Sequence, residues 1–226
     1  SNGYTQYFEI PIDFALAFRT KKAPEIDGKM SPGEWEQSGK IVSNRTDQIY
    51  LLISDPKWRG ANDLSAETYI MWDDDYFYLA SKVTDDIHSC NYTGTHVWQG
   101  DSVQFGIAYN RENSENAANV FTEVGIALTP EGTGLVKYSV ESGTTMDMIE
   151  SKAAVTREGN VTTYEICMPW SEATPAGAVI KENTEIGFSM IVNDNDGEGR
   201  RGWIEFGSGI GLNKKVAEFA RIRLMP

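Results

Sequence analysis

Few side chains in this chain have the type and spacing to do chemistry, and they point in different directions. Trp98 follows a polar, glycine-bearing stretch over 91–96 and opens the run Trp98-Gln99-Gly100-Asp101-Ser102-Val103-Gln104. A pyranose presents a flat C–H face that stacks on an open indole, while its hydroxyls need amides or carboxylates at the rim. Gln99, Asp101, Gln104 and Glu123 can supply those groups. The other reading of Trp98 is a rim tryptophan that covers the edge of the core, since tryptophan is highly buried on average.

Hydrolytic chemistry finds less support. A glycosidase needs two carboxyl groups facing each other about 5 to 9.5 Å apart. Asp101, Glu123, Glu165 and Glu205 all lie on strand-like segments, and nothing singles out a pair. The two histidines, His88 and His96, have no nucleophile elbow near them. Haem ligation would draw on either histidine with Met71 or Met190, against the ordinary place of a strand methionine in the core. Asp73-Asp74-Asp75 could hold a hard cation, but three acids at a hairpin tip are more simply a solvated turn. Asn193-Asp194-Asn195-Asp196-Gly197-Glu198 resembles the opening of a calcium loop without the later glutamate of an EF-hand. Capping of an Asx turn is its alternative reading.

The elements that must position these groups are strands. Extended segments rich in branched and aromatic residues are expected over 49–53, 69–72, 76–83, 102–107, 121–128, 135–140, 153–157, 161–168, 184–192, 202–206 and 219–225. Asp55-Pro56, Asp73–Asp75, 129–134 and Glu158-Gly159-Asn160 carry the turn chemistry between them. Ser31-Pro32-Gly33-Glu34-Trp35 reads as a short helical turn that delivers Trp35 to the core. The segment 110–119 reads as a polar linker, and Pro11 marks the N-terminal patch 8–18 as an edge. Short strands at regular spacing without sustained helical period predict an all-β, antiparallel β-sandwich in a single domain, with an extended segment or edge strand over 1–22 and the sandwich over 23–226.

A length of 226 residues suits one large β domain, and an aromatic share of 11% can fill the space between two sheets. Asp and Glu number 33 against 20 Lys and Arg, a formal charge of -13. The basic residues Lys21-Lys22, Arg200-Arg201 and Lys214-Lys215 are isolated pairs, which argues against a nucleic-acid partner. Cys90 and Cys167 form no CxxC or Cys/His zinc pattern, and neither a membrane span nor a cleavable signal is visible.

Ile26-Asp27-Gly28, Glu34-Trp35, Trp58-Arg59-Gly60, Met71-Trp72-Asp73-Asp74-Asp75-Tyr76-Phe77-Tyr78, Val83-Thr84-Asp85-Asp86-Ile87-His88, Trp98-Gln99-Gly100-Asp101, Met168-Pro169-Trp170, Asn193-Asp194-Asn195-Asp196-Gly197 and Arg200-Arg201-Gly202-Trp203 follow one another in order from about residue 24. Together they resemble carbohydrate-binding module family 9 and the DOMON-like β-sandwiches around it. The resemblance implies a non-catalytic module that needs no cofactor and often carries structural calcium. It further implies a secreted or cell-surface location, a polysaccharide or oligosaccharide partner, and a catalytic domain in the same parent chain. Sugar-binding members hold the reducing end of a glycan between two aromatic rings. Trp98 matches the first ring, Gln104 the position of an acidic contact, and Glu123 falls near a basic one. Asp101 and Asn213 are further polar candidates. The second ring is expected from the loop 207–215, which has no aromatic residue; Trp58 or Trp203 would have to replace it. The two alternatives are a structural or interaction sandwich without a ligand, and a haem-binding relative.

Overall fold

Alternation of apolar and polar side chains sets most of the strands. The computed structural model describes residues 13–52, 58–109 and 121–226. Pro11, the turn Asp55-Pro56 and the linker 110–119 lie outside them. The strands are β1 (Phe14–Arg19), β2 (Gly39–Ser43), β3 (Ile49–Leu51), β4 (Leu64–Trp72), β5 (Tyr76–Asp85), β6 (Ser102–Ala108), β7 (Thr122–Thr129), β8 (Gly132–Ser139), β9 (Lys152–Glu158), β10 (Val161–Pro169), β11 (Glu185–Asp194), β12 (Gly202–Phe206) and β13 (Ala220–Met225). Among the described residues the one α-helix, α1, is the four-residue turn Trp170–Ala173.

One hydrogen-bonded path runs β8-β7-β6-β11-β13-β1-β4-β5-β10-β9, with β12 and β3 branching from β11 and β2 from β4. The path folds over on itself. Phe77 on β5 meets Phe105 on β6 and Phe188 on β11, with ring centroids 6.1 and 6.2 Å apart, so the β4-β5-β10 layer packs face to face on the β6-β11 layer. This is a β-sandwich, antiparallel except at β1. That strand runs parallel to β13 over Phe14–Phe18 and parallel to β4 at Phe18 and Arg19. Pairing on both sides makes β1 the seam between the layers, where an edge strand was expected.

The 73–75 turn joins β4 and β5 as expected, with Asp73 Oδ1 accepting the amides of Asp75 and Tyr76. Trp35 is buried as expected, though its segment is a turn instead of a helix. On β6, Val103, Phe105 and Ile107 enter the main core, while Ser102, Gln104 and Gly106 face the outside of the layer. That outer face is not open to water. A second apolar cluster of Ala108, Phe121, Ile191, Trp203, Ile210, Val216 and Phe219 covers part of it, and the segment between β12 and β13 supplies much of the cover.

Candidate functional site

A 3-10 helix over Gly94–Gln99 carries Trp98. Val97 is fully buried beside Cys90 and Ala127 and pins this helix to the sheet, which turns the neighbouring Trp98 outward at 37% exposure. The ring stands at the mouth of a cleft of about 340 Å³ on the outer face of β6, β7 and β8. Gln104 and Glu123 form the floor, Tyr138 and Arg200 the sides, and Ile210, Gly211 and Lys214 the opposite wall.

The floor is a continuous polar chain. Lys214 Nζ donates to Glu123 Oε1 at 2.6 Å, and Gln104 Nε2 donates to the same oxygen at 3.1 Å. Asn193 Nδ2 donates to Gln104 Oε1 at 2.9 Å, and Arg200 Nε donates to Asn193 Oδ1 at 2.8 Å. Burial pushes the Glu123 carboxyl above the usual range, and the Lys214 ammonium opposes that shift. Each floor group is thus held by its neighbour, which orients it before any ligand arrives.

Of the residues expected from the sequence, Trp98, Gln104 and Glu123 meet in this cleft. Asp101 does not line it. Its carboxylate is buried and accepts the backbone amides of Ser89 and, at 2.7 Å, Asn195. Because Asn195 also donates to the Gln99 carbonyl, Asp101 ties the Trp98 helix to the loop that carries Arg200. Asn213 is exposed and also outside the lining, next to Lys214. Neither proposed replacement for the second ring is available. Trp203 is 2% exposed, stacked on Tyr50 at 4.3 Å. The Trp58 indole donates to the Leu64 carbonyl in another loop.

Sequence reasoning missed Tyr138, Arg200 and Lys214. Tyr138 is the other half-exposed aromatic of the cleft and comes from β8, not from the 207–215 loop. Gly125 on β7 makes room for it, since a Cβ there would sit 2.7 Å from the phenol oxygen. The hydroxyl is buried beside the Trp98 backbone without completing a hydrogen bond.

No facing carboxylate pair lines the cleft, where Glu123 is the one acidic side chain. Glu165 accepts the amides of Asp27 and Gly28 and the Trp35 indole, and Glu205 accepts from Trp203 and Ser208. Met71 and Met190 are buried in apolar clusters, and Met190 Sδ accepts the Thr68 hydroxyl at 3.5 Å.

Behind Asp101 lies a group of carboxylates. Asp85, Asp194 and Asp196 bring oxygens within 4.8 Å of one another, and Asp85 also approaches His88 and Asp101. Asp85 Oδ2 and Asp196 Oδ1 are buried without a hydrogen bond. Burial and mutual repulsion push Asp85 and Asp194 up to about 6 and Asp101 to about 9. Asn195 caps its own turn by accepting the amides of Gly197 and Gly199, so the Asx reading holds for that residue.

The family model "Carbohydrate family 9 binding domain-like" matches residues 26–212. Endo-1,4-beta-xylanase A of Thermoanaerobacterium saccharolyticum is 28% identical over 79% of this chain, and exoglucanase XynX of Acetivibrio thermocellus is 26% identical over the same share. The matches span only 13% and 14% of those proteins. Two structures of a carbohydrate binding module family 9 from Caldicellulosiruptor kristjanssonii, in complex with cellotriose and with glucose, share the fold. Their TM-scores are 0.66 and 0.65 at 17% and 18% identity, covering 93% and 92% of this chain and 93% and 95% of theirs.

Proposed function

The chain belongs to the carbohydrate family 9 binding domain-like family, a non-catalytic carbohydrate-binding family, and we propose that it holds a glycan in the cleft beneath Trp98. One observation carries this reading: an exposed indole stands over a pre-ordered row of amide, carboxylate and ammonium groups in a cavity large enough for a sugar ring. Trp98 is the stacking platform, and Gln104, Glu123 and Lys214 take the hydroxyls. Tyr138 supplies the second aromatic wall. Asp101 acts as a positioning residue, and Asn213, exposed next to Lys214, is assigned to the hydroxyls of a longer chain.

Residues 23–226 make up the binding module, with the segment 1–22 contributing β1. The parent protein is a secreted or cell-surface polysaccharide-processing protein with a catalytic domain, a reading supported by the two relatives' names. The test is a titration with glucose, cello-oligosaccharides and xylo-oligosaccharides followed by tryptophan fluorescence. Trp98→Ala is expected to lose at least about tenfold in affinity, equivalent to about 1.4 kcal/mol. No response to any of these sugars by the parent chain would leave a sandwich that keeps the fold without the ligand.

A calcium ion is the natural occupant of the Asp85–Asp194–Asp196 cluster. These residues fit a hard cation: the donors are all oxygens, and two of them are buried without a hydrogen bond. Arg201, paired with Asp196 and 3.9 Å from Asp194, offsets part of the repulsion but leaves Asp196 Oδ1 free. The alternative set with His88 suits calcium poorly, since both Asp101 oxygens already accept backbone amides. A cation here would be structural, bracing the loop that carries Arg200.

A further inference from the structure

Arginines in this acidic chain find carboxylates. Arg19 pairs with Asp74, Arg45 with Asp47, Arg59 with Asp63, Arg157 with Asp85, Arg201 with Asp196, and Arg221 and Arg223 with Glu185. Among the described arginines, Arg200 alone has no acidic partner. Its guanidinium lies 4.4 Å from the Trp203 ring and 5.5 Å from the Trp98 ring. Its Nε is fixed on the Asn193 amide oxygen, and no protein acceptor within the described residues takes a hydrogen bond from its two terminal nitrogens. Arg200 nevertheless lines the cleft.

An unpaired cation that is largely withdrawn from water is unfavourable unless something compensates it. Stacking on two indoles attracts the cation and does not satisfy the N–H donors. The cost persists because the cation stays charged: burial lowers Arg200 only to about 10, far above neutrality. A planar fork with its Nε held in place and its ends free is suited to bidentate recognition of a carboxylate. The only acid in the cleft, Glu123, is already neutralised by Lys214.

We propose that the cleft recognises an acidic sugar, with Arg200 receiving the carboxylate of a uronic acid unit while Trp98 stacks on a pyranose face. The proposal rests on the reading of this cleft as a glycan site and names its ligand class. Tyr138 lines the cleft beside Arg200 and offers its ring edge to the same unit.

The test compares matched pairs by calorimetric titration: glucuronic acid with glucose, and a glucuronosyl xylo-oligosaccharide with the neutral xylo-oligosaccharide of equal length. The first pair reports a free uronate, the second a uronate borne on a chain. The acidic member of at least one pair is expected to bind about tenfold more tightly at low salt, with the preference shrinking as ionic strength rises. In Arg200→Gln the acidic-to-neutral ratio should fall to about one. In Arg200→Lys, which keeps the charge without the fork, part of the ratio should survive. Circular dichroism of both variants checks that they fold. Binding of neutral and acidic sugars alike, with a ratio near one in the parent chain, overturns the proposal and leaves the glycan site standing. Binding of neither overturns both. A preference that survives Arg200→Gln removes Arg200 from the role.

Discussion

Glu165 illustrates how a residue that attracts a catalytic reading can be structural. It is fully buried on β10 and accepts the Gly28 amide at 2.8 Å, the Trp35 indole at 3.0 Å and the Asp27 amide at 3.2 Å. One carboxylate therefore anchors the turn over 26–28 and the tryptophan behind it. Glu165→Ala strands buried donors at about 1–3 kcal/mol each, so a loss of about 3 kcal/mol is expected from urea unfolding, with sugar affinity of the folded protein unchanged. A fall in affinity without a fall in stability would reverse that assignment. The residues on the cleft floor were partly legible in the sequence because β6 alternates: once Val103 and Phe105 are core, Gln104 must face the other way. Asp101 stands one residue before that strand, where alternation gives no guidance. Arg200 was invisible because its meaning comes from Asn193, Trp98 and Trp203 together, a meeting that only the fold creates.

At the scale of elements, the β7–β8 hairpin shapes the cleft through a packing choice. Gly125 sits opposite Gln104 in the β6–β7 register, and Tyr138 from β8 lies across it, so the missing side chain is what lets the ring lie flat. In Gly125→Ala the new Cβ would come 2.7 Å from the phenol and push it into the cavity. The expected result is a loss of about 1–3 kcal/mol in stability from overpacking, together with weaker sugar binding. Adding Tyr138→Ala should restore much of the stability but not the affinity, a coupling that a double-mutant cycle measures. Additive losses in stability would show that the two residues do not compete for space. The sequence indicated this hairpin but placed its second arm too late, starting at 135 where β8 begins at Gly132. It also passed over β2, whose five residues expose Lys40 and Val42 and bury Ile41, too short an alternation to stand out. The loop 207–215 has no ring and serves packing instead: Gly211 abuts the Trp203 indole and Ile210 joins the second apolar cluster.

Across the whole molecule, in a chain of formal charge -13, four aspartates come together where the ends of β5 and β11 converge. The sequence drew attention to Asp194 and Asp196 as a loop motif, but the third member, Asp85, arrives from a different sheet layer and could not be paired with them by spacing. Without a cation, Asp85 and Asp194 titrate near 6 and Asp101 near 9, all above the value of about 3.9 for an unfolded aspartate. A raised carboxyl pKa favours the fold only while the group stays protonated. Its contribution is complete below about pH 4 and is lost as pH rises through the folded value. In EDTA the protein should therefore lose stability between about pH 4 and 6 as all three groups contribute, then more slowly toward pH 9 through Asp101 alone. Calcium reverses the sign at this cluster, because it favours the ionised carboxylates. At pH 7, calcium at about a hundred times its Kd should add about 2.7 kcal/mol, or roughly 5–10 °C in Tm for a chain of this size. At pH 4.5 the same addition should do little, since protons compete for the same oxygens. Asp85→Asn should abolish the calcium response at pH 7 and flatten the loss in EDTA, having removed a carboxylate common to both effects. Equal melting temperatures in calcium and EDTA at pH 7 would dismiss the ion and leave Arg157 and Arg201 as the cluster's compensating charges.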